Sequence, residues 1–405
     1  MFAIQAVNKG PLSFCNSRSK SSVKTLEYIP GTTILGGLAN IHCLLKEDKD
    51  EFARFFTKNQ ISFGNLYPAN FNSDELKDFS RPVYPIPATA RTCKRFDGFK
   101  YKDSKDDEDG HGVYDQLIQL SLFALNGQKE HRIIPKECPC CGQALSNFPG
   151  FYRKGTKWAT IAKAKISKEV ITRTGISRER GTAQEGIIYN REVLQEAQVF
   201  WGILKCTPDL WEQFKDFLEI AEDKELIYLG NNRSRGMGKI IINQKYFLEL
   251  NDSPEKIKER VQNFTFRLCE EAKSYNIILN HKIYFPVTLQ ADMILRDSSM
   301  RYLTGLKETI LASLLGIKPS ELDIIYQHTG THWITGWNTF TGLPKVLELA
   351  INMGSVFLYA LKKEPDEKLW EKLFDLQTKG IGERRQQGFG RFIVADPFHL
   401  EVKGL

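Results

Sequence analysis

No apolar run in this 405-residue chain is long enough to cross a bilayer. The opening MFAIQAVNKG lacks the basic-then-apolar order of a secretory signal. Glycine (30) and proline (16) are present in ordinary amounts, and 41% of the residues are apolar, which excludes a disordered or collagen-like chain. Eight cysteines are too few for a disulfide framework at this length. Three of them fall within four positions, a spacing that reads as metal chemistry in a reducing compartment. The expectation is a soluble cytoplasmic protein of two or three domains, from a prior of about 150 residues per domain.

What is present begins with charge. The formal net charge is +7, and it is concentrated. Between Phe151 and Gly186 nine basic residues face only Glu169, Glu179 and Glu185. Aromatic residues (Phe151, Tyr152, Trp158, Tyr189) are interleaved with or flank this segment. Lysine and arginine displace counterions from phosphates and aromatic faces stack on bases, so the segment suits a polyanion, with Arg173, Arg178 and Arg180 as candidate contacts. The acidic run at 103–109 reads as an exposed loop.

The chain also repeats itself. Residues 229–240 read LGNNRSRGMGKI and residues 381–392 read IGERRQQGFGRF. Gly230, Arg233, Gly236, Gly238 and Lys239 register on Gly382, Arg385, Gly388, Gly390 and Arg391. Each loop follows an amphipathic helix. The first opens at Thr207, a candidate N-cap, and Pro208; the second opens at Pro365 and Asp366. Each loop leads into a strand-like segment. With strand signals at FAIQAV, EGIIYNREVL, VFWGILKC, IILNHKIYFPVTLQADMIL, LDIIYQ and MGSVFLYAL, the pattern predicts an α+β fold of tandem ferredoxin-like (RRM-like) domains. The first domain is expected at 1–250, carrying an insertion at about 68–185, and the second at 251–405.

Glycines at this spacing let backbone N–H groups approach a phosphate closely, with arginine or lysine supplying charge. A Walker loop is excluded, because Lys239 is followed by Ile240 and Arg391 by Phe392. A dinucleotide loop would open a helix after a strand, whereas these loops follow helices.

These residues resemble the CRISPR-associated RAMP superfamily. The resemblance is carried by the paired loops, by IPGTTILGGLA (29–39) and by MGSVFLY (353–359). GTAQEGIIYNREVL (181–194), PATARTCK (87–94), HGVYDQL (111–117) and WNTFTGLPK (337–345) further resemble the Cas-five-like subunit of type III-D effector complexes. The resemblance implies a non-catalytic subunit that holds the 5′ repeat-derived handle of the guide RNA. Its implied partners are that RNA, the large polymerase-like subunit, a RAMP backbone subunit and target RNA. The implied RNA contacts are Arg233, Ser234, Arg235, Gly236, Gly238 and Lys239 in the first loop, and Arg384, Arg385, Gly388, Gly390 and Arg391 in the second. Gly31, Thr32 and Thr33 match a position where a helix N-terminus meets the RNA backbone, although Leu35 stands where the family carries arginine.

Cys138-Pro139-Cys140-Cys141-Gly142 contains a zinc-knuckle half-site that needs two more ligands. Cys93, His111, Cys138 and Cys141 are the expected set, with Cys140 and His131 as alternates, and a fully ligated ion would be structural. Cys15, Cys43, Cys206 and Cys269 sit in apolar surroundings and are expected to be buried. No hydrolase motif of the G-x-S-x-G or H-E-x-x-H type occurs. A guide-processing endoribonuclease is the alternative reading, with His42, His328 and His332 as its candidate acids and bases.

Overall fold

A computed structural model describes residues 1–18, 22–45, 48–71, 81–100, 110–128, 133–155, 161–177, 179–243, 252–338, 341–402 and 404. Two units form. The first contains Met1–Tyr84, Phe151–Leu250 and Gln386–Gly388; the second contains Pro85–Gly150, Asn251–Arg385 and Phe389–Leu405.

In the first unit, β1 (Phe2–Asn8), α1 (Gly31–Leu45), β2 (Ser62–Pro68), β3 (Val199–Lys205), α2 (Pro208–Asp223) and β4 (Ile240–Asn243) follow in that order. The strands pair antiparallel in the order β4-β1-β3-β2. This is the βαββαβ connection expected of a ferredoxin-like half. The helices bury one stripe each. On α2 that stripe is Leu210, Trp211, Phe214, Phe217, Leu218 and Ala221, at i, i+3 and i+4 intervals. It meets Phe55, Phe56 and Phe63 edge-on or tilted at centroid separations of 5.1 to 6.3 Å. Truncating one such ring, Phe214→Ala, costs about 3–5 kcal/mol by transfer and cavity terms together. Thr207 occupies the N-cap with extended backbone, but its side chain makes no capping bond.

The second unit repeats the plan after a long helix, α3 (Pro254–Ser274). Its elements are β5 (Ile283–Leu289), α4 (Glu308–Leu315), β6 (Leu322–His328), β7 (Val356–Leu361), α5 (Glu367–Lys379) and β8 (Phe392–Val394). The strand order β6-β7-β5-β8 is that of the first unit read from the other edge. Here Asp366 does cap its helix, accepting from the N–H of Leu369 at 2.9 Å. All seven residues of β5 and all six of β7 are buried, so this sheet is covered on both faces. One cover is α4 and α5. The other includes the C-terminal half of α3, with Phe264, Leu268 and Ala272, and the helix Leu117–Leu125, with Leu117, Ile118 and Leu122.

Residues 85–150, read from the sequence as part of an insertion in the first domain, therefore group with the second unit. A buried charge pair reinforces this. His399 Nδ1 lies 2.7 Å from Asp115 Oδ2, and His399 Nε2 lies 2.8 Å from Thr288 Oγ1 on β5. Thr89 donates to the other Asp115 oxygen at 2.6 Å.

The remaining cysteines correct an expectation. Cys43 is exposed, and Cys206 and Cys269 are half-buried. The inward stripe of α1 runs through Gly31, Ile34, Leu38, Ile41 and His42, and the next helical step carries Cys43 out to solvent. The side chain of Cys15 lies outside the described residues.

Candidate metal centre and nucleic-acid interface

Three short strands, Val113–Asp115, Ala90–Cys93 and Leu145–Asn147, pair in that order within the second unit. They bring Cys93, His111, Cys138 and Cys141 together, with one donor atom from each lying within 4.8 Å of the others. Cys93 Sγ to Cys141 Sγ is 3.6 Å, and Cys138 Sγ to His111 Nδ1 is 3.5 Å. A tetrahedral ion with metal–sulfur bonds of about 2.3 Å and metal–nitrogen bonds of about 2.0 Å places such atoms about 3.8 and about 3.5 Å apart. The four residues fit a metal ion.

Each half of the cluster is built on a turn. Cys138 accepts from the backbone N–H groups of Cys140 and Cys141, and Cys93 accepts from those of Arg95 and Phe96. The hydrogen bond from the Gly142 N–H to the Cys138 carbonyl (2.8 Å), with Gly142 at φ +68°, closes the first turn. Burial pushes the Cys138 thiol up to about 11. Burial opposes the Cys93 thiolate too, but the backbone donors and neighbouring thiols outweigh it and lower its pKa. Cys140 is exposed and its sulfur lies 3.7 Å from the His111 carbonyl. His131 and the acidic run at 103–109 lie outside the described residues. The turn at Cys93 carries no second cysteine and no glycine, so the sequence offered no half-site signal there.

The two glycine-rich loops have one conformation. Gly230, Asn232, Gly236 and Gly238 have φ of +89°, +60°, +78° and +95°; Gly382, Arg384, Gly388 and Gly390 have +92°, +54°, +90° and +68°. A short 3-10 turn fills the middle of each, Arg233–Arg235 and Arg385–Gln387. Even the anchors correspond. The N–H groups of Gly238 and Asn231 donate to the carbonyls of Pro11 and Ser13, just after β1. Those of Gly390 and Glu383 donate to Asp292 and Ile294, just after β5. A Cβ on Gly238 would stand 2.6 Å from the Leu229 carbonyl oxygen, and one on Gly390 only 1.7 Å from that of Ile381. These last glycines are required by packing.

The surroundings differ. In the first loop Arg233, Ser234, Arg235 and Gly236 are exposed, and Gly238 is buried. Lys239 pairs with Glu225 at 2.9 Å, which raises its pKa. Among the described residues no carboxylate lies within ion-pair distance of Arg233 or Arg235. In the second loop Arg384 is half-buried, ion-paired to Glu348 and stacked over Phe389 at 4.9 Å. Arg385 is exposed, Arg391 is half-buried, and Gly390 is buried. The turn Gln386–Gly388 belongs to the first unit, where Gln386 Nε2 donates to the Phe56 carbonyl at 3.0 Å. A Cβ on Gly388 would meet the Phe63 carbonyl oxygen at 2.6 Å.

At the start of α1, Gly31 is buried and its N–H donates to Asn65 Oδ1 at 2.9 Å, while Thr32 and Thr33 are half-buried. The basic segment divides. Arg153 is fully buried over the Phe71 ring, and Lys168 pairs with Glu27 and Glu192. Arg173 is half-buried and Arg180 exposed, on a hairpin formed by Lys168–Ile176 and Ala183–Leu194. Arg178 lies outside the described residues. Charge arithmetic along the sequence could not separate the buried Arg153 from its exposed neighbours.

Of the histidines, His42 is buried against Phe52, Phe55, Phe56 and Phe217, with Nε2 3.0 Å from Glu51 Oε1. His328 ends β6 with Nδ1 3.2 Å from the Tyr326 hydroxyl; burial, then the nearby Arg91 charge, lower its pKa. His332 lies on a separate strand, Thr331–Ile334, with Nδ1 2.7 Å from Asn352 Oδ1.

No family model matches this chain, and no curated protein matches it. Among solved structures, it is similar to a chain of the type III-B Cmr-beta complex bound to cognate target RNA, at 12% identity over 96% of each chain with a TM-score of 0.41. A second state of that complex, bound to target RNA and AMPPnP, gives 12% identity, 95% of this chain, 91% of that one and a TM-score of 0.38. Thermus thermophilus Cas6 gives 11% identity over 50% of this chain and 75% of its own, with a TM-score of 0.28. The strand order within each unit, rather than these superpositions, defines the fold. Among the described residues no helix is long and apolar enough to cross a membrane.

Proposed function

We propose that the protein is a non-catalytic RNA-binding subunit of a type III CRISPR effector complex. In this reading it grips the 5′ repeat-derived handle of the guide RNA and caps the backbone beside the large polymerase-like subunit and a RAMP backbone subunit. The observation that carries the reading is the first loop. Two arginines with no carboxylate partner among the described residues, Arg233 and Arg235, stand exposed on a turn whose backbone is held by Pro11, Ser13 and Leu229. A rigid turn pays little ordering entropy when it meets a phosphate. The metal in this reading is zinc, since three thiolates and one imidazole suit a soft-to-borderline ion. With four protein ligands it closes the Pro85–Gly150 fold and offers no open position for chemistry.

A second reading, metal-independent cleavage of precursor guide RNA, draws on His328. Its lowered pKa keeps a neutral imidazole 3.2 Å from a tyrosine hydroxyl, the form a general base requires. One experiment separates the two readings. Purified protein is incubated with labelled repeat RNA and chelator, and retention and cleavage are scored on the same samples. The first reading predicts intact RNA retained by wild type and released by Arg233→Ala plus Arg235→Ala. Discrete cleavage that disappears with His328→Ala would replace it with the second.

A further inference from the structure

The hairpin formed by Lys168–Ile176 and Ala183–Leu194 has two unlike faces. On one, Val170, Thr172, Thr174, Ile176, Ile188 and Asn190 are exposed and uncharged beyond the Lys168–Glu192 pair at its base. On the other, Arg173 stands directly across from Tyr189, and Arg191 is the next residue on that face. This second face meets the first glycine-rich loop. Arg235 donates from its guanidinium to the Tyr189 hydroxyl at 3.2 Å, and Arg191 donates to Ser13 Oγ at 3.2 Å beside the loop's anchor. The sequence separates Arg173, Tyr189 and Arg235 by up to 62 positions, and the fold brings them together.

We infer that Tyr189, Arg173 and Arg235 form a site for one unpaired nucleotide of RNA, with the base on the tyrosine ring and its flanking phosphates on the two guanidiniums. The inference rests on the reading that the first loop binds RNA, and it names the subsite. Three features carry it. Among the described residues neither Arg173 nor Arg235 has a carboxylate within ion-pair distance, and both neighbour Tyr189, Arg173 across the ladder and Arg235 at its hydroxyl. Like charges gathered this way favour an anionic ligand, and phosphates release counterions on binding. The half-buried tyrosine between them supplies a π-face of fixed orientation, which an unstacked base uses and a paired base cannot reach. Because the Tyr189 oxygen already accepts from Arg235, its own hydroxyl proton remains available to a phosphate or base-edge oxygen.

The test uses the full chain and single-stranded repeat RNA carrying 2-aminopurine at successive positions. Fluorescence reports stacking, and anisotropy at several salt concentrations reports affinity. The expected result is quenching at one position, lost in Tyr189→Leu together with about tenfold in affinity, at unchanged salt slope. Tyr189→Phe keeps the quenching, and Arg173→Ala reduces the slope by about one. Thermal melting of each variant checks that the hairpin remains folded. If Tyr189→Leu is folded and retains both affinity and quenching while Arg233→Ala weakens binding, the loop binds RNA and the nucleotide site is wrong. If Arg233→Ala also leaves binding intact, the underlying reading fails with it. Binding of polyglutamate as tightly as RNA, unaffected by Tyr189→Leu, would overturn the site in favour of an acidic protein partner.

Discussion

The first glycine-rich loop and the second share a backbone and differ in what their arginines meet. Both hang from two carbonyls after the first strand of their four-stranded sheet, and both place a left-handed residue before a 3-10 turn, Asn232 in one and Arg384 in the other. Yet Arg233 and Arg235 meet no carboxylate among the described residues, whereas Arg384 is neutralised by Glu348 and covered by Phe389. The scaffold is common to both loops and the electrostatics are not. A shared motif therefore locates a turn, and only its neighbours decide whether that turn presents charge. The two units differ likewise: the second carries the Cys/His cluster and the buried His399–Asp115 pair, and the first carries the hairpin that places Arg173 across from Tyr189.

The largest effect that can sharpen this contrast is metal removal. Structural zinc contributes on the order of 10 kcal/mol to small zinc-dependent folds. Stripping the ion with a strong chelator is expected to expose amides 85–150 to hydrogen exchange while amides of β1 to β4 keep their protection. Next comes the shared scaffold itself. Gly390→Ala places a methyl 1.7 Å from a carbonyl oxygen and is expected to cost about 4 kcal/mol or more in thermal unfolding. Gly238→Ala, at 2.6 Å, costs less, and Gly236→Ala, with nothing within 4 Å, costs about 1–2 kcal/mol for its backbone alone.

Asp115→Ala, which strands a buried imidazolium, is expected to cost about 3–5 kcal/mol. The same pair sets a pH dependence. For His399, burial opposes the charge, but Asp115 outweighs it and raises the pKa above 6.5; Asp396 and Arg267 are the other charges acting on it. Its contribution is complete below 6.5 and is lost as pH rises through the raised value. Burial likewise opposes the Asp115 carboxylate, but His399, Thr89 and the Leu117 N–H lower its pKa below 3.8. Its contribution is complete above 3.8 and is lost as pH falls through the lowered value. The pair's stabilisation is therefore complete between 3.8 and 6.5 and is expected to vanish from the pH profile of denaturant midpoints in Asp115→Ala. The smallest effect compares the duplicated helices. Asp366→Ala removes a capping bond and costs about 1 kcal/mol, whereas Thr207→Ala, which removes none, costs a few tenths.

The duplicated loops, the helix periods before them and the Cys-Pro-Cys-Cys-Gly turn were legible because each depends on spacing over a dozen residues. The fold class followed from the same local signals. The home of residues 85–150 was not, because it depends on which surface lacks a cover. A signal was present in IYFPVTL and VFLYAL, which are apolar without alternation and need burial on both faces; the helix Leu117–Leu125 supplies part of the second cover. The Arg384–Glu348 and Arg235–Tyr189 contacts join residues 36 and 46 positions apart, and no period in the sequence announces them. The turn at Cys93 was equally silent, since its two N–H donors come from arginine and phenylalanine, residues without a turn signature.

The most direct test of the contrast between the loops is the salt dependence of guide-repeat RNA binding by two double variants of the full chain. Arg233→Ala with Arg235→Ala is predicted to lower the slope of log affinity against log salt by about two units. Arg384→Ala with Arg385→Ala is predicted to change it by one unit or less, since Arg384 is already neutralised by Glu348. Equal losses from the two variants, or a larger loss from the second, would contradict the account.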